Sequence, residues 1–209
     1  MNNLLNLFLN SQIVKTYNRN LNLNGFTPLG LFWNSKKSQY DRFDTLLFLI
    51  MKFKFKHKVS ISDIGCGYGS FLAYLVEKKV NFYYSGYDIN KNLIKYCIRN
   101  YPEIFFKVSY YPTELTDITI ASGTYNYTAT DNVKIWEEYI IFNLKKCIVK
   151  SKLGLIFNLQ FTKKESFIKN NIYYTNVEFM LNKLKKEFLK VNKFYSTKSL
   201  SDIYFIILK

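Results

Sequence analysis

The chain is short of several residue types, and each shortage narrows what it can be. Three cysteines, Cys66, Cys97 and Cys147, are scattered over 209 residues without a Cys-x-x-Cys pair. No disulfide framework or four-ligand zinc site is expected from them, and reduced thiols fit a cytoplasmic protein. The single histidine, His57, lies in the alternating stretch Lys52-Phe-Lys-Phe-Lys-His-Lys58. That stretch is expected to be a solvated connector with His57 exposed and idle, not a general base. No apolar run approaches the ~20 residues of a membrane-spanning helix. Leu4 to Leu9 is too short, and it lacks the basic flank of a secretion signal. Neither a membrane nor a metal partner is expected.

Arginine is the fourth shortage. Of 30 basic residues only Arg19, Arg42 and Arg99 are arginines, set against 15 acids for a net charge of +15. Such a surplus points first to nucleic acid. Lysine instead of the bidentate arginine fork leans the other way. So do the abundant Asn, Ile, Phe and Tyr, a composition that AT-rich coding imposes without selection for binding. The charge is uneven: from Lys145 onward 14 lysines face only Glu165, Glu178, Glu187 and Asp202. A basic face in the C-terminal third therefore stays open.

What the chain has is apolar residues, 48% of the total, enough for a sizeable core in one domain. Residues 1 to about 37 are weakly patterned, with Leu4, Leu5, Phe8 and Leu9 on one short helical face. Gly25, Pro28 and Gly30 break the next segment into a loop carrying Phe32 and Trp33, whose rings either plug the core or line a pocket. Tyr40, Phe43, Leu47 and Ile50 predict a helix from Ser38 to about Lys52. Strands are predicted at 59–64, 82–87, 104–108, 117–121 and 155–160. Helices are predicted at 70–79, after Asn90, and from near Asp131 to a stop at Gly154. A polar loop with Tyr173-Tyr174, a helix over 176–188 and strands at 189–195 and 203–208 complete the chain. About seven residues join the last two strands, too few for a crossover, so they must pair antiparallel. The expected fold is α/β: a Rossmann-like, doubly wound sheet of seven strands, mostly parallel, with an antiparallel C-terminal hairpin. Residues 1–58 would form a helical and loop cap, and 59–209 the main domain.

The stretch with chemical content is Asp63-Ile-Gly65-Cys66-Gly67-Tyr68-Gly69, between the first strand and the helix opening at Ser70. Glycines there let backbone approach a ligand, and the helix start offers free N–H groups. A dinucleotide site would place its third glycine at position 70, and an acid before the first glycine would repel a pyrophosphate. A ligand with a cationic amino-acid end favours that acid. S-adenosylmethionine (SAM) has an α-ammonium, a sulfonium and two free ribose hydroxyls, and Asp88, ending the second strand, can accept both hydroxyls.

With these residues in place the sequence resembles the class I SAM-dependent methyltransferases over roughly residues 59–209. Their acid-x-Gly-x-Gly-x-Gly motif is matched in full, Asp88 fits their second motif, and the terminal hairpin fits their sheet. A narrower resemblance is to small bacterial methyltransferases. It rests on Gly30-Leu-Phe-Trp33-Asn-Ser35, Gln39-Tyr-Asp-Arg42-Phe43, Ala121-Ser122-Gly123 and Phe157-Asn158. The resemblance implies SAM as cofactor, bound by Asp63, Gly65, Cys66, Gly67, Tyr68, Gly69, Asp88, Ile89, Ala121, Ser122 and Gly123. Trp33, Gln39, Arg42 and Asn158 would face a small-molecule acceptor, with Arg42 available to clamp a carboxylate or phosphate. The implied reaction is in-line methyl transfer. An RNA or, less favoured, DNA acceptor is the alternative, although the slot after strand 4 reads Ala121-Ser-Gly-Thr-Tyr125 and carries no Pro-Pro-aromatic run. A non-catalytic Rossmann-like binding protein is the third possibility. No catalytic base is singled out among Tyr17, Tyr125 and Tyr127. One departure stands: family members place an acid or amide after strand 3 for the adenine amino group, whereas Val108 is followed by Ser109-Tyr-Tyr-Pro, leaving that contact to Ser109 or a backbone carbonyl.

Overall fold

The runs expected to be strands all pair into one sheet. In the computed structural model, which describes residues 1–209, helices α1 (Asn3–Asn24) and α2 (Lys36–Met51) precede β1 (Ser60–Ile64). The chain then alternates through α3 (Ser70–Glu77), β2 (Tyr83–Asp88), α4 (Lys91–Asn100), β3 (Phe105–Val108), β4 (Thr116–Ala121), α5 (Val133–Val149) and β5 (Ser151–Thr162). A hairpin of β6 (Phe167–Lys169) and β7 (Ile172–Asn176) leads into α6 (Val177–Glu187), and β8 (Lys190–Tyr195) and β9 (Asp202–Leu208) close the chain. The seven expected strands lie in the order β3-β2-β1-β4-β5-β9-β8, parallel as far as β5, with β9 antiparallel to both neighbours.

Side chains alternate across the strands with a period of two and divide the core. Ile118, Ile120 and Ile156 join α2, α3 and α4 on one face. Leu155, Phe157 and Leu159 join α1, α5 and α6 on the other. The helices therefore cover both faces, and the C-terminal ends of β1, β2 and β4 meet at one edge. No helix is long and apolar enough to cross a membrane.

Four details correct the sequence expectations. First, the weakly patterned N-terminus is a 22-residue helix, capped by Asn2 accepting from the Leu5 N–H and stopped at Gly25. Its polarity is mixed: Leu4, Leu7 and Phe8 are exposed, while Asn6 and Asn10 are buried beside Leu9 and Leu21. Asn6 Oδ1 accepts from Asn143 (3.0 Å), Asn10 Oδ1 from the Tyr139 hydroxyl (2.6 Å), and Asn18 Oδ1 from Asn90 (2.9 Å). Amide hydrogen bonds thus dock α1 alongside the buried Leu9 and Leu21.

Second, the polar loop around Tyr173-Tyr174 is the β6–β7 hairpin, closed by Asn170 and Asn171 at φ 52° and 59°. Gln160 of β5 pairs with Asp202 of β9 on one edge and Tyr174 of β7 on the other. Since β9 takes one edge of β5, β7 occupies the edge that β4 leaves free beyond Ala121. Tyr173 is anchored there through its hydroxyl to the buried Glu137 (2.7 Å), which also holds Lys183.

Third, Gly154 does not stop a helix. It lies within β5, where a Cβ would come 2.3 Å from the Ile207 carbonyl oxygen; α5 ends earlier, at Val149. Fourth, the connector carrying the exposed His57 is tied to the sheet, with His57 Nε2 standing 3.1 Å from Asp117 Oδ2.

Candidate active site

The turn after β1 has glycines at φ 69°, 60° and 84°, a left-handed run that L side chains resist. Its backbone is held from β2: the Gly65 and Cys66 N–H groups both donate to the Tyr87 carbonyl (2.7 and 3.1 Å). Asp88 completes the tie. Its Oδ2 accepts from the Gly67 N–H (3.0 Å) and its Oδ1 from the Asn90 N–H (2.8 Å). Asn90 in turn caps α4 through the Asn92 N–H. A carboxylate so placed fixes the turn against the end of β2 and still faces the cavity above it.

That cavity has a volume of about 340 Å³. Gly65, Gly67, Asp88 and Ile89 form one side, and the loop after β4 forms another. Three segments cover it: Tyr17 on α1, the stretch Leu31–Asn34, and Tyr174 on β7. The rings of Phe32 and Tyr127 stack at 5.4 Å with Tyr17 set edge-on to both. Burial next to Asp88 raises the Tyr17 hydroxyl pKa, and burial raises that of Tyr125. Both phenols are therefore neutral donors near pH 7, not ionised bases.

The loop after β4 is anchored at both ends. Thr124 Oγ1 donates to the Ile64 carbonyl (2.7 Å), and the Gly123 N–H donates to Asn158 Oδ1 (2.8 Å). Gly123 must be glycine for space, because a Cβ there would stand 2.8 Å from the Trp33 ring. Trp33 is backed by the Arg42 guanidinium, 4.9 Å from the ring centroid. Arg42 Nε pairs with Asp202 at 2.7 Å, and Nη1 donates to the Ser38 carbonyl. The amide nitrogen of Asn158, Nδ2, donates to the other carboxylate oxygen of Asp202, Oδ1 (3.1 Å). Gly123, Asn158, Asp202, Arg42 and Trp33 thus form one continuous frame from the β4 loop to the N-terminal segment.

Of the residues selected from sequence, Gly65, Gly67, Asp88, Ile89, Ser122, Gly123, Trp33 and Arg42 line the large cavity. Asp63, Cys66 and Gln39 line a small adjoining one of about 30 Å³ that shares Gly65, Trp33 and Ser122 with it. Tyr68, Gly69, Ala121 and Asn158 line neither. Tyr68 donates its hydroxyl to Gln39 (3.3 Å), Gly69 caps α3, and Ala121 and Asn158 are fully buried. Beyond the Ser109-Tyr-Tyr-Pro stretch that holds Tyr110, the sequence pattern gave no hint of Tyr139, Asn143 or Ile172; all four line the large cavity. They come from α5, the β3–β4 connection and the hairpin, elements whose approach to the glycine turn exists only in three dimensions.

Burial governs both acids. It pushes Asp63 up to about 7 despite the Tyr84 hydroxyl donated to it at 2.6 Å, with the Asp88 charge adding to the rise. It pushes Asp88 up to about 6 against three backbone N–H groups. Each carboxyl binds its proton more tightly folded than unfolded. Their contribution to stability therefore falls as pH rises, through about 6 for Asp88 and about 7 for Asp63. Asp63→Asn is expected to remove one part of that slope. In urea titrations from pH 5 to pH 8 the native chain should lose on the order of 2 kcal/mol relative to the variant. Parallel stability curves would show that Asp63 does not titrate in this range.

The Rossmann-like α/β fold is shared with solved structures of SAM-dependent methyltransferases. No protein-family model matches the chain, and no curated protein matches it in sequence. Among solved structures it is similar to a SAM-dependent methyltransferase from Leishmania major, at TM-score 0.65 and 12% identity over 94% of this chain and 82% of that one. It is similar to magnesium protoporphyrin IX methyltransferase from Synechocystis PCC 6803 with bound SAM, at TM-score 0.58 and 12% identity over 83% and 80%. The plantazolicin methyltransferase BpumL in complex with SAH aligns at TM-score 0.60 and 13% identity over 84% and 86%.

Proposed function

We propose that the chain is a SAM-dependent methyltransferase acting on a small-molecule acceptor. The observation that carries this is Asp88, a carboxylate locked to the glycine turn and facing the 340 Å³ cavity between β2 and the β4 loop. The cavity falls within the roughly 300–1,000 Å³ of small-molecule sites. Ser122, Asn126 and Gln160 line it together with Asp88, polar side chains that suit a ligand with many hydrogen-bonding groups.

When bound, SAM supplies a methyl group on a sulfonium with a good leaving group. The rest falls to the chain. Asp88 would accept the ribose hydroxyls, with Gly65 and Gly67 letting backbone pass close beneath. Asp63, behind the turn, favours a cationic end nearby. Tyr17, Phe32, Trp33 and Tyr174 wall the side left for an acceptor and keep water out. Alignment of this kind is worth about 7–11 kcal/mol in a well-oriented pair. Arg42 supports Trp33 and carries its counter-ion in Asp202, so it serves the frame and is poorly placed to clamp an acceptor anion.

A cavity of 340 Å³ with aromatic walls favours a small acceptor over RNA. The C-terminal lysines are also dispersed by pairing: Lys145, Lys152, Lys183, Lys193 and Lys198 each hold an acid. Calorimetry with SAM tests the cofactor assignment, with saturable binding expected in the micromolar range (about −8 kcal/mol). Absence of heat at millimolar SAM would remove the enzyme assignment. Methyl incorporation into RNA, with a salt-dependent gel shift, would replace the small acceptor with a nucleic acid.

A further inference from the structure

The chain carries a net charge of +15, yet none of its lysines lines the large cavity. Arg42 and Asp88 are the two lining side chains that are charged near pH 7. Arg42 is answered by Asp202 at 2.7 Å and by the Ser38 carbonyl at 3.1 Å. The side-chain charge left facing the cavity is therefore negative, that of Asp88. The wall away from Asp88 is aromatic. β1 and β4 stand between β2, which Asp88 ends, and β5, so Gln160 lies three strand spacings across the sheet from Asp88, about 14 Å. Tyr174 of β7 pairs with Gln160, and Tyr127 bridges to Ile172 on the same hairpin. Phe32 stacks on Tyr127 there.

The groups that commonly take a proton during transfer to an acceptor are placed elsewhere. The one histidine, His57, stands beside Asp117 near the start of β4, at the end of the sheet away from the cavity. Asp63 lies behind the glycine turn and holds the Tyr84 hydroxyl at 2.6 Å. Burial raises Tyr17, Tyr110, Tyr125 and Tyr139 above the ordinary phenol value, so these hydroxyls keep their protons. An alcohol must shed its proton as its oxygen attacks, which calls for a base. A thiolate, phenolate or carboxylate enters as an anion and must be desolvated with no side-chain cation free to meet it. An uncharged nitrogen attacks with its lone pair and needs neither.

We propose that the acceptor atom is an uncharged nitrogen, of an amine or a heteroaromatic ring, and that the rings of Phe32, Tyr127 and Tyr174 receive the cation it becomes. The nitrogen lone pair forms the new N–C bond as the C–S bond breaks and the bonding pair stays on sulfur. Positive charge passes from sulfur to nitrogen, and a nitrogen that still bears hydrogen then gives its proton to water. A cation within about 6 Å of an aromatic face is attracted to it, more strongly where water is excluded. This inference rests on the cofactor assignment above and adds the chemistry of the acceptor to it.

Calorimetry on the full chain saturated with S-adenosylhomocysteine measures three single-ring probes. N-methylpyridinium imitates a methylated product, phenol is neutral and benzoate is an anion. N-methylpyridinium is expected to bind about tenfold tighter than either of the others. Phe32→Leu and Tyr174→Leu each keep an apolar side chain and remove a ring, and each should narrow that lead to about threefold or less. Phe32 is exposed, so its variant is expected to fold even if that of Tyr174 does not. Phenol or benzoate binding as tightly as the cation overturns the nitrogen acceptor and leaves the cofactor assignment standing. So does a chain that binds S-adenosylhomocysteine and none of the probes. A lead that survives the substitutions overturns the role of the rings. A chain that does not bind S-adenosylhomocysteine overturns both assignments.

Discussion

Asp88→Asn is expected to weaken SAM binding roughly 100-fold, from the loss of two charge-assisted hydrogen bonds at about 1.5 kcal/mol or more each. The ribose hydroxyls are donors, and only a carboxylate can accept from both while accepting from the Gly67 and Asn90 N–H groups. An asparagine must turn its amino group toward one of these four partners. Whichever way it turns, a donor meets a donor. The fold should survive, because the turn is also held by the Tyr87 carbonyl and by its own glycine conformations. The same geometry sets a pH dependence: ligand hydroxyls need the ionised acid, so affinity should decline as pH falls through about 6. Calorimetry at pH 7.5, with a urea melt as control for folding, measures both quantities. Affinity within threefold of the native protein would remove Asp88 from the cofactor site.

Asp88 and the glycine turn were legible because their constraints are local. Three left-handed residues in five positions leave glycines in the sequence, and a strand ending in an acid shows through its period-two pattern. The sheet was legible for the same reason: Ile118, Ile120 and Ile156 announce one face, and Leu155, Phe157 and Leu159 the other. The cover over the site was not. A helix that buries Asn6 and Asn10 beside Leu9 and Leu21, and exposes Leu4, Leu7 and Phe8, blurs the amphipathic pattern. Its register is set by Tyr139, Asn143 and Asn90, residues more than 70 positions away. The β6–β7 hairpin did carry a signal. Asn170-Asn171 between two short apolar runs is the composition of a two-residue turn with both φ values positive. Gly154 misled because a glycine after a helix pattern has two explanations. One is a helix stop and the other is a close approach of backbone, here the Ile207 carbonyl.

The residues behind the site form its least legible part, and Arg42→Met tests them hardest. This change is expected to destabilise the fold by about 3–5 kcal/mol at pH 8, a large share of the 5–15 kcal/mol typical of a domain. Asp202 has a side chain with no exposure, and its pKa stands above the ordinary carboxylate value. Burial raises it, and Arg42 and then Asn158 only partly offset the rise. Without the guanidinium the carboxylate keeps its full burial penalty and loses its main compensation. The loss therefore has a sign in pH. With Arg42 gone the folded-state pKa rises further, the folded chain holds the proton more tightly than the unfolded one, and the deficit should shrink as pH falls from 8 to 5. Adding Asp202→Asn to the Arg42→Met chain removes the stranded charge and should recover most of the stability at pH 8. Urea melts of the single and double variants at the two pH values give all four numbers. A deficit equal at both pH values and not rescued by Asp202→Asn would mean that Arg42 acts by packing under Trp33 alone. The charge pair would then be incidental to how Gly123 and Trp33 are held.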